Sequence, residues 1–76
     1  MATINERIAS RVRAELASKG ISREEFYLGV GLAERTGARR LAGSSSWTTD
    51  ELAATAAFLG VSISSLVAST PARATA

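Results

Sequence analysis

Three times in 76 residues a serine or threonine is followed, three positions later, by glutamate: Thr3 and Glu6, Ser22 and Glu25, Thr48 and Glu51. In such a pair the hydroxyl accepts from a free backbone N–H in a helix's first turn, and the carboxylate reaches back to the N–H of the cap residue. Gly20, Gly31, Gly43 and Gly60 stand where the segments so started must stop. Helices this short gain most of their stability by packing on one another. The chain is therefore confined to a bundle of short helices.

The spacing predicts a first helix over Thr3–Lys19, with Ile4, Ile8, Val12 and Leu16 as one apolar stripe and Arg7, Arg11, Arg13, Glu15 and Lys19 on the wet faces. A second helix over Arg23–Val30 turns Phe26 and Val30 inward. Gly31 makes the turn, and Leu32 plugs the core. A third helix covers Ala33–Ala42. Gly43-Ser44-Ser45-Ser46 is a polar loop. The fourth helix runs from Thr48 to Leu59, burying Leu52, Ala56 and Leu59. Ser62 caps a fifth helix holding Ile63, Leu66 and Val67. Pro71 ends the order, which makes residues 1–70 the domain and 71–76 a frayed tail. No strand pattern and no internal repeat is visible, so the expected fold class is all-α.

Composition narrows the chemistry. Cysteine and histidine are both absent, which removes disulfides, thiolate metal sites, the usual general base and the commonest metal ligand. No glycine-rich phosphate loop or nucleophile–base pair stands out, and an enzyme with a cofactor, metal or small-molecule ligand is not expected. No apolar run approaches a membrane span, and MATINERIAS lacks the apolar core of a signal peptide. A cytoplasmic location is the expectation. The net charge is +2, with eight of nine Lys/Arg and five of seven Asp/Glu within residues 1–47. That asymmetry suits a polyanion on one side of the molecule.

The basic half contains Ser22–Gly43, two short helices around a glycine turn, the second bearing Arg35, Arg39 and Arg40. This arrangement can read DNA, the second helix lying in the major groove. The stretch Gly20–Gly43 resembles, without a gap, the helix-turn-helix of the phage repressor and Cro superfamily, the lambda-repressor-like fold. Gly20, Ser22, Gly31, Arg39, Leu41 and Gly43 match its pattern, and Ile21, Phe26, Val30 and Leu32 match conservatively. The continuations Trp47-Thr-Thr-Asp-Glu-Leu and Leu59-Gly-Val-Ser-Ile-Ser-Ser-Leu resemble the family's fourth and fifth helices. The Arg-Arg-Leu-x-Gly run looks most like actinobacterial and actinophage members.

The resemblance implies a five-helix domain that binds double-stranded DNA. It implies base contacts from Glu34, Arg35 and Arg39, flanked by Thr36 and Ala38. An arginine fork fits O6 and N7 of guanine. Glu34 either accepts from a cytosine or holds Arg35 or Arg39 in place. Ser22 and Arg23, at the start of the second helix, fall where the family meets phosphate. Arg40 either reaches the opposite backbone strand or stays on the surface. Ser44, Ser45 and Ser46 lie near the phosphate path or form a plain loop. Trp47 is expected in the core.

Three residues depart from the pattern. Arg23 replaces a glutamine, Tyr27 a small residue, and Gly37 a valine or isoleucine. The last two sites face each other across the turn, so Tyr27 is expected to fill the space that Gly37 leaves. The resulting expectation is a small repressor or Cro-like transcription regulator on DNA, pairing through the fifth helix and tail or binding as a monomer. The alternatives are an antitoxin-like or phage accessory protein-interaction module and an excision accessory factor.

Overall fold

Every helix start anticipated from the caps carries one in the computed structural model, which describes residues 3–68. The elements are α1 (Ile4–Lys19), α2 (Arg23–Val30), α3 (Glu34–Ala42), α4 (Thr49–Leu59) and α5 (Ile63–Val67). All are helical, and no strand occurs among the described residues. The expected tail, 71–76, and the 1–70 domain limits lie outside the described residues.

Thr3–Glu6, Ser22–Glu25 and Thr48–Glu51 each form both hydrogen bonds of the capping box. Ser62 caps α5 by accepting from the Ser65 N–H. Ala33, before α3, offers no side chain to do this.

Phe26 is the hub of the core. It is fully buried, and its ring lies 5.9 Å from that of Tyr27 and 6.1 Å from that of Phe58. Around it are Ile8, Val12 and Leu16 of α1, Leu41 of α3, Trp47 of the α3–α4 loop, Ala56 and Leu59 of α4, and Leu66 of α5. Phe58 packs on α2 at Gly29, where an added Cβ would stand 2.2 Å from its Cε1.

Two apolar assignments are corrected. Ile4 is exposed rather than part of the α1 stripe, and Ala9 is buried in its stead. Each step of four residues advances about 40° around a helix, so a strict i, i+4 row drifts off one face within a few steps. On α4, Leu52 is only half-buried, whereas Thr55 is fully enclosed. The Thr55 hydroxyl and the Trp47 Nε1–H have no partner among the described residues.

Candidate nucleic-acid interface

The α2–α3 corner is set by its backbone. Gly31 adopts φ 81° and ψ 31°, a left-handed conformation that costs glycine little. The N–H groups of Gly31 and Leu32 both donate to the Tyr27 carbonyl at 2.9 Å. Leu32 is half-buried against the core.

Tyr27 and Gly37 close the corner on the inside. A Cβ built on Gly37 would stand 2.3 Å from Tyr27 Cδ1 and 2.4 Å from its Cε1. The tyrosine ring therefore occupies the volume that a side chain at 37 would need, as the pairing of large and absent side chains led one to expect. Both helices remain regular around it.

The α3 helix has a dry side and a wet side. Gly37 and Leu41, four apart, are buried. Glu34, Arg35 and Arg39 are exposed, and Thr36 and Ala38 are half-buried beside them. Arg35 and Arg39 share one face by their spacing. Neither guanidinium has an ion-pair partner among the described residues, and Glu34 pairs with neither.

Arg40 is held differently. It is half-buried, and its Nε and Nη2 donate to the two oxygens of Glu51 at 2.7 and 3.2 Å. Its Nη1 donates to Ser45 Oγ. The same Glu51 oxygen that takes Arg40 Nε also accepts the Thr48 N–H at 2.8 Å. The hydrogen bond from Arg40, opposed by burial, holds the Glu51 carboxyl below its usual range. Within the protein, Arg40 ties α3 to α4.

The three serines are also engaged. Ser44 Oγ donates to the Arg39 carbonyl at 3.2 Å, which spends its only donor. Ser45 accepts from Arg40, and Ser46 accepts weakly from Asn5 at 3.4 Å. Ser45 and Ser46 keep their own hydroxyl protons for another partner. Ser22 accepts from the Glu25 N–H and keeps its donor likewise. Arg23 is exposed and has no ion-pair partner among the described residues. Trp47 is buried, as its place before a capped helix suggested.

Sorting the cations by partner divides the surface. Arg11 and Lys19 both bind Glu15, at 2.9 and 2.8 Å. Their hydrogen bonds, Lys19 first, hold its carboxyl below the usual range. Arg7, Arg13, Arg23, Arg35 and Arg39 have no carboxylate partner among the described residues. Arg13 is the one whose place the spacing did not disclose: from α1 its Nη1 donates to the Leu41 carbonyl in the last turn of α3.

No cluster of metal-ligating side chains occurs among the described residues, and no helix there is long and apolar enough to cross a membrane. No protein-family model, curated protein or solved structure matches the chain.

Proposed function

We propose that this protein is a sequence-specific double-stranded-DNA-binding regulator of transcription, of the small repressor or Cro-like type, that lays α3 in the major groove. The observation that carries the reading is the pair Arg35 and Arg39. Both are exposed on one face of a short helix and lack a counter-charge among the described residues, while α3 itself is held by Arg13 and Arg40. A guanidinium without a carboxylate partner keeps its fork for guanine. A helix fixed from behind loses little further freedom when it docks. Glu34 completes the base-facing set, with Thr36 and Ala38 at its edge. Ser22 and Arg23 meet the phosphates on one side, and the free hydroxyls of Ser45 and Ser46 serve on the other.

Useful specificity from so small a domain calls for two copies on a pseudo-palindrome. Ile63 and Val67 of α5 lie on the surface, whereas Leu66 is fully buried in the protomer's own core. The tail named with α5 as a pairing element lies outside the described residues. Sedimentation of wild type and Ile63→Glu with and without DNA tests whether these two side chains join copies.

Selection from random-sequence duplexes, followed by titration across salt, tests the reading as a whole. A recovered motif rich in guanine and an affinity that falls steeply with salt are expected. A second reading, a module that binds protein, is favoured by Leu28 on α2, which is 85% exposed. It predicts no motif and no salt-dependent DNA binding.

A further inference from the structure

Arg13 and Arg23 come from different helices and line one cleft of about 210 Å³. Its remaining walls, Leu16, Ala17, Ile21 and Leu41, are apolar. Arg13 has one amino group anchored on the Leu41 carbonyl. A guanidinium has five N–H donors in a rigid fork, so this tie leaves most of them unspent. Arg23, the first residue of α2, makes no side-chain hydrogen bond or ion pair among the described residues. Two cations beside an apolar wall with no carboxylate partner repel each other. An anion between them removes that repulsion, and the apolar walls reduce the screening of its charge.

The position of the cleft identifies the anion. It lies between the first residue of α2 and the last turn of α3, and so adjoins the helix that carries both base-facing arginines. We infer that the Arg13–Arg23 cleft binds one backbone phosphate of DNA, beside the segment read by α3, and that Arg13 is a DNA-contacting residue as well as a strut for α3. The inference rests on the DNA-binding reading. It adds α1 to the interface and gives Arg13 a second task that a purely structural tie does not need.

The test uses the full chain, its selected duplex, and a set of duplexes each carrying one neutral methylphosphonate. In wild type, one methylphosphonate on the flank should weaken binding about tenfold, the order of one charge-assisted hydrogen bond. In Arg13→Gln and in Arg23→Gln the penalty of that same substitution should shrink, because only one of the two cations remains. Each should also show a plot of log affinity against log salt shallower by about 0.9. The selected motif should not change. Arg13→Lys, which keeps a charge and a donor for the Leu41 carbonyl but loses the fork, guards against misfolding of the glutamine variant. In it the penalty should shrink.

An Arg13 variant that melts lower but keeps the wild-type salt slope and methylphosphonate pattern would reduce Arg13 to a strut and overturn the inference. A melting temperature raised by inorganic phosphate in wild type and not in Arg13→Gln, with no methylphosphonate effect, would assign the cleft to a free anion and overturn it too. Wild type that selects no motif and binds no DNA would remove the parent reading and the inference with it. A selected motif without a cleft effect removes the inference alone.

Discussion

The two halves of α3 are built on opposite plans. Its C-terminal stretch, from Gly37 on, is tied at three points: Gly37 lies under the Tyr27 ring, Arg40 is clamped by Glu51, and the Leu41 carbonyl is held by Arg13. Its N-terminal part has no side-chain cap at Ala33, and no ion pair at Glu34 or Arg35 among the described residues. Arg39 lies within the tied stretch, yet its side chain has no ion-pair partner among the described residues, while its carbonyl accepts from Ser44. This division suits the DNA-reading role proposed for α3. The fixed half sets where the helix points, and the untied half keeps its donors for a partner, with less ordering cost at the moment of binding.

The sharpest way to break the comparison is to overfill the fixed half. Gly37→Val brings a branched side chain onto a ring already within 2.3 Å of its Cβ position. Overpacking costs about 1–3 kcal/mol and outweighs the few tenths of a kcal/mol gained from better helix propensity. A melting temperature lower by roughly 5–15 °C is expected for a domain of this size. Tyr27→Ala combined with Gly37→Val should recover part of the loss. A stabilised single variant would show that the two sites are not a packed pair.

Next in size is the clamp. Glu51→Gln removes the negative partner of a half-buried guanidinium and should cost about 1–2 kcal/mol in chemical unfolding. The pH profile carries the sign. Because Arg40 lowers the folded-state value of Glu51 below its ordinary 4.5, the pair's stabilisation is present above about pH 4.5 and lost as pH falls through the folded-state value. Wild type should lose stability on acidification. Glu51→Gln should lose less, with a remainder from Glu15, which Lys19 and Arg11 shift in the same direction. Parallel curves for the two proteins would show that the clamp contributes nothing.

A smaller effect is expected at the untied end. Ala33→Ser supplies the missing cap and should stabilise the fold by about 0.5–1 kcal/mol, as a thermal melt would report. A destabilised Ala33→Ser would mean that the first turn of α3 is already satisfied in a way the structure does not show. Thr55→Val, which replaces a buried hydroxyl lacking a partner with a group of the same shape, is expected to stabilise by up to about 1 kcal/mol. It lies on α4, away from both halves, and serves as the control for melts.

What could be read from the chain in advance followed from chemistry local in sequence. Thr3–Glu6, Ser22–Glu25 and Thr48–Glu51 span three residues each, and such contacts form in almost any context. They placed four helix starts, with Ser62, and the glycines placed the stops. The Tyr27–Gly37 pair was legible because each residue departs from the resembled pattern in a complementary way.

The ties that hold α3 were not legible. Arg40 meets Glu51 across 11 residues, and Arg13 meets the Leu41 carbonyl across 28. No spacing rule brings those groups together. A basic residue on a helix looks the same in sequence whether it ends on a carboxylate, on a carbonyl or in water. Arg39 and Arg40 are adjacent and identical in type, yet one is free and the other clamped. The exposure of Ile4 and the burial of Thr55 likewise follow from where α1 and α4 meet their neighbours, not from their own periodicity.

The untied half is tested most directly by Arg39→Ala, measured by duplex selection and by melting on the same preparation. The melt should stay within about 0.5 kcal/mol of wild type, since the Arg39 side chain has no ion-pair partner among the described residues. The selected motif should lose preference at one position, by about 1–3 kcal/mol of discrimination, with the other positions intact. A wild-type protein that selects no motif, or an Arg39→Ala variant that selects the wild-type motif unchanged, would contradict the account.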